Sequence, residues 1–207
     1  GRNVRIDRGS YLDALSEHGI ILGNNVSVGQ STTIECSSTL SNIGQGLSVG
    51  DRSGLGTHGF YGCVGGITIG NDVLIGNFVS MHAENHVFSD SRTPIREQGL
   101  THEGIRIGNN CWIGAKTTIL DGASIGDGTV IAAGSVVLRG EYHSNAVYGG
   151  IPVKLIRMID VFERAMLYYL AIFAYILFCW IWSSQPGFDK GKSNFLYWSV
   201  FLLFWFT

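Results

Sequence analysis

The chain has 207 residues but few charges: Asp, Glu, Lys and Arg make up 14% of it, against about 25% in typical soluble domains. The formal net charge is -2, and the sequence has neither a run of Lys and Arg nor basic residues interleaved with aromatic ones. Nucleic-acid binding requires basic surface that neutralises phosphates. No nucleic-acid partner is therefore expected.

Cysteine is scarce as well. The four cysteines, Cys36, Cys63, Cys111 and Cys179, are scattered without a CxxC pair, which disfavours both a zinc site and a disulfide scaffold. A reducing compartment fits this usage best. No signal peptide pattern is present at the N-terminus; the chain starts at Gly1 without Met and ends inside an apolar run, so one interpretation is a fragment of a longer protein.

Glycine, in contrast, is abundant: 29 residues, about twice the usual share. Aliphatic residues followed by Gly or another small or polar residue recur in steps of six, with short slips in register. The series includes Leu22-Gly23, Val28-Gly29, Ile43-Gly44, Ile113-Gly114 and Ile131-Ala132. A fixed short period predicts stacked strand-and-turn units with the aliphatic side chains inside, that is, a parallel β-solenoid. A Gly-rich disordered segment is disfavoured because the aliphatic residues keep their phase.

Two stretches resemble the hexapeptide-repeat acyltransferases, in particular the maltose and galactoside O-acetyltransferase branch with its polysaccharide-modifying relatives. They are IGNNCWIGAKTTILDGASIGDGTVIAAGSVV, from Ile107 to Val137, and GGIPVKLIR, from Gly149 to Arg157. The resemblance implies an all-β fold, a left-handed parallel β-helix, over residues 1–158. It also implies a homotrimer with active sites between adjacent solenoids.

One segment interrupts the repeat. Between Met81 and Ile107 the chain is far longer than one repeat needs, so we expect Val87 to His102 to leave the wall as a loop, and long loops in compact repeats are usually functional. His86 stands at its root. A neutral imidazole can take the proton of a hydroxyl that attacks a thioester. By the resemblance His86 is the catalytic general base of a direct transfer; the alternative is a polar residue that begins a surface loop.

Further residues are candidates for orienting His86 or binding the acceptor. Asp90 or Glu84 would orient the ring as a carboxylate does in a catalytic triad. The alternative is that both are solvated loop acids. Asn85 is a third candidate for orienting His86 or binding the acceptor. Trp112 points outward by phase if Ile113 points inward.

The resemblance places Trp112 in the substrate and cofactor cleft, with a subunit contact as the alternative. His58 lies near a position where the family has an acceptor-binding Asn, but Gly56-Thr57-His58 departs from that pattern. The identity of the acceptor sugar therefore stays open.

The resemblance also implies acetyl-CoA as the co-substrate. Coenzyme A needs a cleft for its pantetheine arm and cations for its phosphates. The family's contact positions correspond here to Ala115, Ala133, Arg139, Lys154 and Arg157. Leu138-Arg139 replaces the family's usual Thr-Lys, which removes a hydroxyl. Lys154 and Arg157 also precede an apolar segment, so lipid headgroups are their alternative partners.

The C-terminal part, residues 159–207, is strongly apolar. Ala165 to Trp182 contain no charged residue and are long enough to span a bilayer as a helix, with aromatic residues near both ends. Phe195 to Thr207 form a second, shorter apolar run. We expect a hydrophobic helical membrane segment with the catalytic domain on the cytoplasmic side. The alternative is a hydrophobic hairpin buried in an oligomer.

These features favour an acetyl-CoA-dependent O-acetyltransferase that modifies a sugar of a surface-polysaccharide or lipid-linked glycan precursor. A second hypothesis is a zinc hydratase resembling the γ-carbonic anhydrases, which needs three convergent histidines. His58, His82 and His86 fall at different phases of their repeats, so no metal site is predicted. A third hypothesis is a membrane-tethered, non-catalytic solenoid scaffold, which predicts that His86 is dispensable and that no acyl-CoA binds.

Overall fold

The computed structural model describes residues 1–39, 42–159 and 169–177, and the chain divides into two compact units, Gly1–Ile159 and Asp160–Thr207. The first unit consists almost entirely of short strands arranged in three stacked sheets. Strands of one sheet lie in successive coils and pair in parallel, so the chain visits sheets 1, 2 and 3 in turn. The prediction of a parallel β-solenoid is confirmed.

The strands of each sheet follow one another along the solenoid axis. Sheet 1 consists of β1 (Arg5–Ile6), β4 (Ser27–Val28), β9 (Gly54–Leu55), β12 (Leu74–Ile75), β17 (Trp112–Ile113), β20 (Val130–Ile131), β23 (Ala146–Gly150) and β24 (Val153–Met158). Sheet 2 consists of β2 (Tyr11–Asp13), β5 (Thr33–Glu35), β10 (Phe60–Gly62), β13 (Ser80–His82), β18 (Thr118–Leu120) and β21 (Val136–Val137). Sheet 3 consists of β3 (Ile20–Leu22), β8 (Leu47–Val49), β11 (Ile67–Ile69), β16 (Ile105–Ile107), β19 (Ala123–Ile125) and β22 (Gly140–Tyr142).

The core is a set of columns that run along the axis. Because strand side chains alternate, strands such as β10 bury their central residue, and strands of sheet 3 such as β11 bury the two residues on either side of an outward one. In sheet 2, Ile34, Tyr61, Met81 and Ile119 stand directly above one another and are fully buried. Each residue covers the one below it, so no coil could exclude water from its aliphatic side chains alone.

A polar ladder holds the corner where sheet 3 leads into sheet 1. The side-chain oxygen of Asp51 accepts the backbone N–H of Asn24 at 2.7 Å, and Asn71 does the same for Asp51 at 2.7 Å. Asn109 and Asp127 continue the ladder at 2.9 and 2.6 Å. The residues joined in this way are 27, 20, 38 and 18 positions apart in sequence. The coils therefore stay in register although they differ in length.

The extra residues of the longer coils leave the wall at one corner, between sheets 2 and 3. There, β6 (Ser37–Thr39) and β7 (Asn42–Ile43) form a small antiparallel pair. Ile43, which the repeat predicts to point inward, is instead exposed on this pair, and the core resumes at Leu47. That detail of the predicted repeat was wrong, because an aliphatic followed by Gly also fits the end of a hairpin.

In the second unit, residues 169–177 are helical. No helix among the described residues is long and apolar enough to cross a membrane. Half of the predicted membrane segment from Ala165 to Trp182, and all of the run from Phe195 to Thr207, lie outside the described residues.

Candidate active site

The segment that interrupts the repeat forms an arm, residues 83–104, at the corner between sheets 2 and 3. It begins after β13 and ends before β16. Inside it, β14 (Asn85–His86) pairs antiparallel with β15 (Leu100–Thr101), and a short 3-10 helix spans Ile95–Glu97. The predicted departure from the wall is present, and both ends of the arm are strands.

His86 lies on β14, opposite Leu100 of the returning strand. Its side chain is exposed. The next residue continues the pairing, since the Val87 N–H donates to the Gly99 carbonyl at 3.0 Å. The imidazole thus projects from a two-stranded stem, which limits its motion more than an irregular loop would.

Asp90 orders the tip of the arm. Its Oδ1 accepts the backbone N–H of Arg92 at 2.9 Å, and its Oδ2 accepts the Thr93 hydroxyl at 3.0 Å. These donors, with the Arg92 N–H the largest cause, hold the pKa of Asp90 below its ordinary value. Gln98 closes the turn, because its Nε2 donates to the carbonyls of Asp90 and Thr93 at 2.8 and 2.7 Å. Both carboxylate oxygens are therefore engaged within the arm and not with His86.

Glu84 lies at the root of the arm beside two further histidines. Its buried Oε2 has no hydrogen-bond partner among the described residues and lies 3.7 Å from Nε2 of His102. His82 faces outward on sheet 2 against Phe60, with ring centroids 5.3 Å apart. Burial lowers the pKa of His82, and the Glu84 charge opposes that shift. Glu84 therefore neighbours His82 and His102, and its predicted contact with His86 stays a prediction.

A buried carboxylate that sequence reasoning missed anchors the arm to the wall. Asp121, only 3% exposed, follows β18 at the same corner. Its Oδ1 accepts the backbone N–H groups of Glu103 and Gly104 at 2.9 and 2.8 Å, and its Oδ2 accepts the Thr101 hydroxyl at 3.0 Å. Thr101 in turn pairs with Asn85, next to His86. An acid two residues after the inward Ile119, where the chain turns, was the available signal.

The corner between sheets 1 and 2 carries the predicted coenzyme A positions Ala115 and Ala133. They lie in successive coils, because the Gly134 N–H donates to the Ala115 carbonyl at 2.8 Å. Ala133 is exposed and Ala115 is half-buried. A Cβ on Gly114 would lie 2.4 Å from the Ala133 nitrogen, so the coils approach each other here as closely as backbones can.

Trp112 points outward from sheet 1, as its phase predicted, and is 56% exposed. It stands in register with Leu74, which is 62% exposed, so the two form an apolar patch on the outer face of that sheet. His58 lies at the corner between sheets 1 and 2, two coils before Ala115, and its ring stacks on Phe78.

The predicted cations for coenzyme A fall into two groups. Arg139 lies at the corner of the arm and pairs with Glu103, with Nη1 2.7 Å from Oε1. Lys154 and Arg157 lie on β24, the edge strand that ends sheet 1, and both are exposed. Neither of these two forms an ion pair with any residue that the structure describes. They are better placed than Arg139 to meet a phosphate.

The candidates therefore divide between two edges of the solenoid. The arm between sheets 2 and 3 carries His86 and the candidates that would orient it, Asn85, Glu84 and Asp90. Sheet 1 and its corner with sheet 2 carry the acceptor and coenzyme A candidates His58, Trp112, Ala115 and Ala133. The three histidines that a zinc hydratase would need lie on a corner, on β13 and on β14. Within the part of the chain that the structure describes, no three His, Cys, Asp or Glu side chains form a group that could hold a metal ion.

Parallel coils of this kind, with aliphatic residues every sixth position, are the architecture that a hexapeptide repeat builds. The sequence profile described as Bacterial transferase hexapeptide (six repeats) matches residues 104–139, which run from the root of the arm to β21. This stretch of the chain is therefore similar to the hexapeptide-repeat transferases.

Among its relatives, the galactoside O-acetyltransferase of Escherichia coli (strain K12) is 38% identical over 104 residues, which are 50% of this chain and 48% of that protein. WbbJ of the same organism, assigned to lipopolysaccharide biosynthesis as an O-acetyl transferase, is 36% identical over 98 residues, 44% of this chain and 50% of that protein. The chain thus spans about half the length of these curated relatives.

Among solved structures, AntD, an N-acyltransferase from Bacillus cereus in complex with dTDP and 3-hydroxybutyryl-CoA, superposes with a TM-score of 0.64. The sequence identity is 21%, and the match covers 86% of this chain and 89% of that one. This likeness shows that the two proteins share a fold.

Proposed function

We propose that the protein transfers an acetyl group from acetyl-CoA to a hydroxyl group of a sugar. The observation that carries the proposal is the exposed His86 on a braced arm that leaves a hexapeptide-repeat wall. The similarity to a galactoside O-acetyltransferase supports both the reaction type and the acceptor class.

His86 acts as the general base in this proposal. The acceptor oxygen forms a bond with the acetyl carbon while its proton passes to the neutral imidazole. The carbon–sulfur bond of the thioester breaks, and the proton is returned to the leaving thiolate of coenzyme A. No acyl-enzyme is needed. Cys111 is a poor nucleophile, because it is buried and burial raises its pKa.

In our proposal acetyl-CoA binds along the corner between sheets 1 and 2, and its pantetheine chain runs beside Ala115 and Ala133. The small side chains and close coils leave room for an extended chain against the backbone. Lys154 and Arg157, which are unpaired with acids among the described residues, then neutralise phosphates.

We further infer a homotrimer of left-handed solenoids, as the family resemblance implies. The base and the donor corner lie on different edges of one chain, and a neighbouring copy can bring its arm to that corner. The active site would then be completed between subunits, with Trp112 at or near the shared surface.

The acceptor we favour is a surface-polysaccharide or lipid-linked glycan precursor. The similarity to WbbJ supports a polysaccharide, and the uncharged stretch from Ala165 to Trp182 supports membrane association. Three basic residues precede that stretch, Lys154, Arg157 and Arg164, and by the positive-inside rule they support a cytoplasmic side for the catalytic unit.

The test is thiol release from acetyl-CoA with a panel of sugars and extracted lipid-linked glycans, in the wild type and in His86→Ala. Loss of a general base should lower the acceptor-dependent rate by about a hundredfold or more. His143→Ala, an exposed histidine at another corner, is the matched control and should keep the wild-type rate. Equal rates in wild type and His86→Ala would remove His86 as the base, and a protein that binds no coenzyme A would be a scaffold.

A further inference from the structure

Two aromatic side chains occupy an unusual place at the corner between sheets 1 and 2. His58 and Phe78 lie in successive coils, and both have left-handed backbones, with φ of 55° and 59°. Their rings stack with centroids 5.0 Å apart and planes 5° from parallel. Phe78 is 54% exposed and His58 is exposed as well, so the part of each ring that the other does not cover is open to solvent.

The wall itself does not need these rings. Residues with a Cβ avoid the left-handed region, and bulky ones avoid it most. Gly9 and Gly134 hold the equivalent position at the two ends of the corner, where the turn is made without strain. The backbone bonds of the turns, such as the Phe78 N–H to the Thr57 carbonyl at 2.9 Å, form for any residue. Ser31 and Lys116 make the same left-handed turn in the coils before and after the pair, so the turn does not require aromatic side chains, and the two exposed stacked rings have no role in the wall itself.

We propose that the His58–Phe78 pair is a platform on which a pyranose ring of the acceptor stacks. The apolar C–H face of a sugar fits an aromatic face, and rigid aromatic side chains lose little entropy on binding. This inference rests on the proposed function and deepens it, because it names the surface that receives the sugar.

Polar groups at the rim of the platform suit the hydroxyl groups of a sugar. Asn77 accepts the Thr57 N–H through Oδ1 at 3.1 Å, which leaves its amide group as a donor. Lys116 is the next residue along the corner, since its N–H donates to the Asn77 carbonyl at 2.9 Å, and it is exposed. Ala115, where the acetyl donor is proposed to pass, directly precedes it. A sugar on the platform would therefore lie one coil from the donor.

The test compares Phe78→Gly with the wild type, using maltose and methyl β-galactoside as acceptors and acetyl-CoA as donor. Glycine accepts the left-handed backbone, so the variant should fold with an unchanged or higher melting temperature. We expect its KM for the sugar to rise about tenfold, the loss of one aromatic stacking contact, while KM for acetyl-CoA changes less than about twofold. Phe78→Tyr should restore the wild-type KM.

Tyr11→Ala removes an exposed aromatic side chain from sheet 2 in the first coil and serves as the control. An unchanged sugar KM in Phe78→Gly, or a rise confined to acetyl-CoA, would overturn the platform and leave the proposed function standing. If the wild type shows no turnover, binding of the two sugars is followed by saturation-transfer NMR in the presence of coenzyme A. Binding that Phe78→Gly abolishes would keep the platform and refute acetyl transfer to these two sugars, and no binding by the wild type would overturn the platform.

Discussion

The Asp121 anchor makes a prediction about the arm that depends only on the geometry. The carboxylate accepts three hydrogen bonds from the arm and is almost fully buried. A hydrogen bond to a charged group contributes about 1.5–3 kcal/mol, and leaving a buried N–H unsatisfied costs about 1–3 kcal/mol. Asp121→Ala would leave the Glu103 and Gly104 N–H groups without their partner. We expect this variant to lower the free energy that holds the root of the arm against the wall by roughly 3–5 kcal/mol.

Asp121→Asn is the informative comparison. Its Oδ1 can still accept the two backbone N–H groups, and its amide can donate to the Thr101 hydroxyl, so only the charge is lost. We expect a smaller cost of about 1–2 kcal/mol. The ordering of the two variants follows from the contacts, whatever the absolute values.

Hydrogen exchange of the backbone amides measures the effect where it should occur. In Asp121→Ala, the amides of Glu103, Gly104 and Val87 should exchange about a hundredfold faster or more, since each 1.4 kcal/mol is a factor of ten. The amide of Tyr11, bonded to the Thr32 carbonyl at 2.9 Å in the first coil, should keep its rate. Unchanged exchange in the arm, or an equal acceleration in the first coil, would refute the idea of a local anchor.

Two further predictions concern the wall. Burial lowers the pKa of His82 in the folded protein, whereas the unfolded chain takes up a proton near pH 6.5, so the free energy of unfolding should fall as the pH drops below that value and level off below the folded pKa. His82→Gln should therefore lose less melting temperature than the wild type between about pH 8 and pH 5. Identical losses in the two proteins would contradict this. Gly76→Ala would place a Cβ 2.6 Å from the Ala115 nitrogen and should cost about 1–3 kcal/mol in urea unfolding. Gly134→Ala, with φ of 70° and no atom within 4 Å of the new Cβ, should cost only about 1 kcal/mol, and a reversed order would count against the close approach of the coils.

The regular part of the fold could be predicted because the repeat reports a local rule. An aliphatic residue every sixth position must meet its counterpart in the next coil, so Ile113 and Ile131 are buried and Trp112 is outward. The departure of the arm could be predicted for the same reason, since extra residues cannot remain in a wall of fixed period.

The site was less accessible to the same reasoning. Asp121 acts through partners far away in sequence, and no local pattern shows that its carboxylate will face Glu103 and Gly104. The stack of His58 on Phe78 depends on two residues 20 positions apart meeting at one corner, as Thr57 and Asn77 beside them do. Asp90 uses both of its oxygens within its own turn, which no local pattern announces, and its orienting role stays a prediction.

The polar ladder between sheets 3 and 1 has a consequence for how such proteins can diversify. Its rungs keep hydrogen bonds of 2.6 to 2.9 Å whether the coil between them takes 18 residues or 38. The entropic cost of a longer connection grows only slowly, by about 0.6 kcal/mol for each doubling of its length. The corner between sheets 2 and 3 can therefore accept inserted segments, while the ladder between sheets 3 and 1 keeps the coils in register. An arm can then be exchanged or lengthened at the corner between sheets 2 and 3 while the wall is inherited unaltered.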